Sequence, residues 1–167
     1  MKSFYIFFLA SVLLILGACK KFLETEPSDF LAPSTYFNSE KELNYALTGV
    51  YEVLGNSALY GDYVFYQYDI TDEGVYGHAG VTNGVQVYNF APSNTTIDAT
   101  WRTLYNGIGR ANLLLENIDR PEMDENKRKV IKGEALFLRG FYYFLLAQMW
   151  GDVPLVLETT KSADDTQ

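Results

Sequence analysis

Cysteine and histidine are almost absent: there is one of each in 167 residues, with five prolines, and 13 lysines and arginines stand against 21 acidic residues. A lone thiol excludes an intramolecular disulfide, and one cysteine with one histidine cannot furnish the ligand-rich cage of structural zinc. The formal net charge of −8 at pH 7 speaks against nucleic acid as a partner, because phosphates demand lysine and arginine patches. Long hydrophobic runs are missing too. The longest, Phe4 to Leu16, is thirteen residues, short of the roughly 20 that cross a bilayer as a helix.

Aromatic residues, by contrast, are abundant. They make up 16% of the chain, as 13 Tyr, 11 Phe and 2 Trp. Tyrosine offers a flat face with a polar tip, which suits recognition surfaces as well as cores. With 48% hydrophobic and 20% charged residues the composition is globular, and the length predicts one domain with an appendage.

The appendage is N-terminal. Lys2, the apolar run and the small residues Gly17 and Ala18 describe a signal peptide over residues 1–18. Leu16-Gly17-Ala18-Cys19 resembles the bacterial lipobox, whose cysteine is lipidated and becomes the mature N-terminus. Cys19 is therefore the expected lipidation site and the attachment to a lipid bilayer. Each buried methylene contributes about 0.8 kcal/mol, so several acyl chains hold firmly where one does not. Residues 19–37 read as the lipidated cysteine and a linker containing Pro27, Ser28 and Pro33.

Helical patterns follow. Ser39 with Glu42 forms a capping box, and Leu43, Ala46, Leu47, Val50, Tyr51 and Leu54 recur at helical spacing over Asn38 to Leu54. Asp98 or Thr100 is the expected cap of a second helix running to about Asn117. Asp124 caps a third, to about Trp150, where Gly151 and Pro154 end it. Gly133, Gly140 and Ala147 on the third helix, and Gly107 and Ala111 on the second, suggest a tight antiparallel hairpin of the two through small residues. Between the first and second helices, Gly61 to Ile97 is rich in Tyr, Gly, Asn and Asp. It reads as a long irregular segment with short β-prone pieces at Val64–Tyr68 and Val85–Phe90, the kind of loop that carries function.

The stretches "FLETEPSDF", "YFNSEKELNYALTGVYEVL", "WRTLYNGIGRANLLLENI" and "KGEALFLRGFYYFLLAQMWGDVPLV" resemble, in this order, the N-terminal part of SusD/RagB-family proteins. The resemblance implies a mainly α fold with tetratricopeptide-like helix pairs, long irregular aromatic loops and little β structure. It implies an outer-membrane lipoprotein facing the cell exterior that binds glycans, or peptide or other nutrients. Such a protein delivers them to a SusC-like TonB-dependent transporter without catalysis or cofactor. Members are longer, so residues 38–167 read as an incomplete SusD-like region with apolar helix faces left uncovered. A different reading is a lipoprotein that only holds an outer-membrane complex together.

Candidate ligand-binding residues are Asp72, Tyr76, Asn83, Tyr88 and Asn89, with Phe90 beside them. Aromatic faces stack on the apolar faces of pyranose rings, while amides and carboxylates read hydroxyls. Asp69 to Gly74 resembles a calcium loop, but its twelfth position is Gly80 instead of glutamate, so no metal site is assigned. His78 lies between glycine and alanine in a polar loop with no nucleophile motif, and no catalytic residue is assigned. Trp101 and Trp150 are expected to pack, and Arg139 to pair with Glu134 or Asp152.

Overall fold

A computed structural model describes residues 36–62, 71, 74, 76–77 and 80–159. The chain divides into two compact units after Thr35, and all described residues fall in the second, Tyr36–Gln167. The expected signal peptide, Cys19 and the expected linker up to Thr35 lie outside the described residues, as does the piece Val64–Tyr68.

Three helices carry the fold: α1 (Glu40–Glu52), α2 (Thr95–Asn117) and α3 (Glu125–Trp150). Among the described residues there is no strand, only an isolated bridge between Gly84 and Asn89. The mainly α expectation holds. Two of the three caps match their sequence signals. The Ser39 hydroxyl accepts from the Glu42 amide at 3.3 Å, and the Glu42 carboxylate accepts in return from the Asn38 amide at 2.7 Å. The Asp124 carboxylate accepts from the amides of Asn126 and Lys127, both at 3.0 Å. For α2 the expectation of Asp98 or Thr100 is corrected. The cap is Asn94, whose Oδ1 accepts from Thr96 and Ile97, so the helix starts a turn earlier. Asp98 is left in the first turn, paired with Arg102 at 2.8 Å.

The helices run up, down and up. Gly107 of α2 faces Tyr142 of α3, and Asn112 faces Arg139, so these two are antiparallel. Arg110 of α2 reaches the Gly49 carbonyl and the Glu52 carboxylate, while Thr100 donates to the Ala58 carbonyl beyond the end of α1. A common core of Leu43, Leu47, Val50, Leu104, Ile108, Leu114, Leu138 and Leu146 fills the space between them. The α2–α3 connection is tied by Arg128, a buried guanidinium that donates to the carbonyls of Ile118 and Pro121 and to the Glu125 carboxylate. That satisfies carbonyls at the end of α2 that have no partner within the helix.

The small-residue expectation divides. Gly107 and Ala111 are buried at the α2–α3 contact, and a Cβ on Gly107 would come within 2.6 Å of the Tyr142 ring. Gly133, Gly140 and Ala147 are exposed, and a Cβ on either glycine would meet nothing within 4 Å. They take no part in the hairpin. The close approach comes from one glycine on α2 receiving one tyrosine from α3.

That tyrosine is fully buried, and its hydroxyl donates to the Val50 carbonyl of α1 at 2.6 Å. Burial pushes the hydroxyl's pKa from 10.0 up to about 12, with Arg110 opposing the rise and Glu52 adding to it.

Two outcomes follow from this contact. Gly107→Ala lowers the unfolding free energy, by about 1–3 kcal/mol of overpacking, because the ring it meets is pinned by its hydroxyl bond. Gly109→Ala, in open space on the exposed side of α2, raises it by up to about 1 kcal/mol through helix propensity alone. In alkali the native state favours the protonated phenol. Its contribution is whole below pH 10 and is lost as pH rises toward about 12. Denaturant titrations across that window show a loss of stability that is smaller in Tyr142→Phe.

Candidate functional site

Of the five sequence-designated ligand residues, three come together. Gly84, at φ 121°, and Tyr88, at φ 55° in the left-handed region, reverse the chain around a 3-10 turn over Val85–Val87. Val85–Phe90 is therefore a tight turn and not the strand its composition suggested. The Gly84 amide donates to the Asn89 carbonyl at 2.8 Å, and the Asn89 amide returns the bond to Gly84 at 3.2 Å. Val85 points inward and is buried. What the turn displays is Tyr88, 67% exposed, and Phe90, 47% exposed, flanked by exposed Asn83 and Asn89.

These two rings are not core residues. They are held outward by a backbone whose strained position, a tyrosine at positive φ, sits at the ring that is most exposed. Asn89 has a second task, since its side-chain NH₂ donates to the Thr82 carbonyl at 2.7 Å and braces the turn. Tyr76 is half-buried. Asp72 and His78 lie outside the described residues, as does most of the calcium-like loop. Among the described residues no group of three His, Cys, Asp or Glu side chains is arranged to hold a metal ion.

A second feature was not foreseen. After α3 the chain runs extended over residues 153–159 and is held by side chains of α2 and α3 that bind its backbone. The Tyr105 hydroxyl donates to the Pro154 carbonyl at 2.8 Å. Asn112, which is buried, donates to the carbonyls of Val156 and Glu158. The Tyr143 hydroxyl donates to the Val156 carbonyl at 2.9 Å and accepts from the Val156 amide at 2.6 Å. The Glu116 carboxylate accepts from both the amide and the hydroxyl of Thr159, each at 2.6 Å.

Arg139 belongs to this clasp. It donates to Asn112 Oδ1 at 2.8 Å and to the Leu157 carbonyl at 3.3 Å, which corrects the expected pairing with Glu134 or Asp152. Glu134 instead accepts from Tyr51 of α1 at 2.9 Å, a bond that raises the Tyr51 pKa. The sequence carried one signal for the clasp. Tyr105, Asn112 and Glu116 recur at helical spacing along α2, and Arg139 and Tyr143 are one turn apart on α3.

Beside the clasp stands an aromatic wall. Trp101 meets Trp150 edge-on at 5.1 Å and Tyr105 at 4.9 Å, and Tyr105 meets Tyr143 at 6.4 Å. Burial, with Tyr143 alongside, raises the Tyr105 pKa. The two tryptophans pack against each other, as expected of them, and the wall fixes the rings whose hydroxyls hold the extended segment.

The turn and the clasp differ in chemistry. The clasp spends its polar atoms on its own chain. The turn presents two outward ring faces flanked by two amide side chains, a surface suited to stacking and hydroxyl recognition. Among the described residues no helix is long and apolar enough to cross a membrane.

Comparison with known proteins adds the family context. Residues 21–167 match the SusD-like family described as "Starch-binding associating with outer membrane". Three curated proteins of Formosa agariphila are similar. SusD-like protein P25 is 29% identical over 84% of this chain and 29% of its own length. SusD-like protein P2 is 29% identical over 93% of this chain and 31% of its own. SusD-like protein P38 is 26% identical over 98% and 32%. The chain thus spans about a third of the length of these relatives. No solved structure matches it.

The clasp gives its own expectation. Tyr143→Phe removes the acceptor for the Val156 amide. Hydrogen exchange at that amide then speeds up by about tenfold, the loss of a bond of roughly 1.4 kcal/mol, while amides in the middle of α2 are unchanged.

Proposed function

From the premise that this chain belongs to the SusD-like family, we propose that it is the N-terminal region of a lipid-anchored outer-membrane protein that binds glycans without cleaving them. Cys19 is its lipidation site and holds it at the outer face of the membrane. A SusC-like TonB-dependent transporter receives the ligand. The family's description supports starch-like glycans as the ligand class and the outer membrane as the place. The observation that carries a role in recognition is the outward display of Tyr88 and Phe90 on a braced turn beside Asn83 and Asn89. Exposed aromatic rings on a braced turn are the kind of surface that meets a ligand or a partner.

Tyr88 and Phe90 stack on sugar rings, and Asn83 and Asn89 read hydroxyls. Asp72 and Tyr76, from the preceding stretch of sequence, contribute to the same recognition. A pyranose lays its C–H groups on the aromatic face, and burying one such ring contributes on the order of 1–3 kcal/mol. Three acyl chains on Cys19 would anchor the protein beyond easy exchange. The helices supply a scaffold of the tetratricopeptide kind, and the long loop supplies the surface.

Isothermal titration with linear and cyclic malto-oligosaccharides tests the reading. The protein binds, with unchanged sugar recovered afterwards, and Tyr88→Ala weakens binding by about 5- to 100-fold. An unchanged affinity in the double variant Tyr88→Ala, Phe90→Ala removes the turn from the site. Failure to bind any glycan favours the complex-holding role instead. Cys19→Ala shifts the protein from the outer-membrane fraction to the soluble one and abolishes labelling with radioactive palmitate.

A further inference from the structure

The cations of this chain are unevenly placed. None of its 13 lysines and arginines lies between Lys41 and Arg102, while seven acidic residues do. The displayed turn falls inside this interval, and from Gly74 to Ile97 the sequence holds no Asp, Glu, Lys or Arg at all. Its one side-chain base there is His78, an imidazole that is neutral in mildly alkaline solution.

The polar groups beside Tyr88 and Phe90 are accordingly uncharged. Asn89 gives one N–H to the Thr82 carbonyl at 2.7 Å, which leaves its Oδ1 as an acceptor and its second N–H as a donor. The exposed side chains of Thr82, Asn83 and Ser93 are of the same neutral kind. Such groups match hydroxyls, which both donate and accept. They match carboxylates and sulfate esters poorly, because those oxygens only accept and are held best by guanidinium or ammonium groups. Charge-assisted bonds of that sort are roughly twice as strong as neutral ones. The cations at the two ends of the interval are also engaged. Arg102 is bound to Asp98 at 2.8 Å, and Lys41 stands over the Tyr45 ring at 5.4 Å. An anion approaching Arg102 has to displace a carboxylate from it.

We propose, on the reading of this turn as a glycan surface, that it selects uncharged glycan chains and rejects those bearing carboxylate or sulfate groups. The selection is electrostatic. The formal net charge of −8 acts in the same direction, opposing a polyanion within the roughly 8 Å Debye length of physiological salt.

Hydroxyethyl starch and carboxymethyl starch, lightly and equally substituted, carry groups of similar size on one backbone and differ in charge. Both are titrated into the protein expressed at the full length that its gene encodes, in low and in high salt, at a pH where imidazole is neutral. In low salt carboxymethyl starch binds about tenfold or more weakly than hydroxyethyl starch, and the gap narrows as salt screens the repulsion. Affinity for hydroxyethyl starch is independent of salt. Thr82→Lys sets an ammonium group beside the turn, keeps the carbonyl that braces Asn89, and closes the gap in low salt. Equal or tighter binding of carboxymethyl starch by the unmutated protein overturns the proposal and leaves the glycan reading standing. A gap that neither high salt nor Thr82→Lys changes also overturns it, since exclusion is then by shape. Absence of binding to both starches and to malto-oligosaccharides overturns the glycan reading, and the charge selection falls with it.

Discussion

The fold depends on the seating of Tyr142 over Gly107. At that point α2 and α3 come as close as the backbone of one and a ring of the other allow, and the hydroxyl reaches across to a carbonyl of α1. One side chain thus fixes the position of all three helices. It fills volume against α2, satisfies a backbone acceptor on α1 and carries its own helix with it. Three of the other cross-ties are peripheral. Lys127 to Glu40, Tyr51 to Glu134 and Arg110 to Glu52 are exposed pairs, and pairs of this kind contribute about 0–1 kcal/mol each. They set orientation after the buried contact has set distance.

Everything outside the bundle is placed by polar groups projecting from it. The extended run after α3 has little apolar burial of its own. Leu155 and Leu157 are mostly exposed, and the segment stays in place because five side chains of α2 and α3 satisfy its backbone. The displayed turn at Gly84–Asn89 is the reverse case. It closes on its own backbone bonds and lets its rings point away. The first arrangement immobilises chain, whereas the second offers surface.

How much of this could be read from the sequence follows from how local each feature is. The caps at Ser39 and Asp124 are decided within four residues, and both were legible. At α2 three good caps, Asn94, Asp98 and Thr100, compete within seven residues. Local preference cannot rank them, and the structure uses the first. Seven-residue spacing puts Gly133 and Gly140 on one face of the helix, but spacing fixes a face and not a neighbour, and that face does not meet α2. Arg139 shows the same limit. Its nearest acids in sequence were plausible partners, yet antiparallel packing delivers Asn112 and the returning chain instead. In the site, composition singled out Asn83, Tyr88 and Asn89, but their proximity arises from two residues at positive φ, which composition does not announce.

The clasp has a consequence for how this protein can vary. A segment held by its carbonyls and amides is indifferent to what its side chains are, provided they point away and no further proline removes the Val156 amide. Leu155, Val156 and Leu157 are therefore free to drift without loosening the segment. The five residues that grip them are not, since each serves several backbone atoms or steadies a neighbour that does. Sequence change in this part of the molecule should collect on the strap and avoid its buckle, so that the surface offered to whatever lies alongside can be rewritten while its path stays the same.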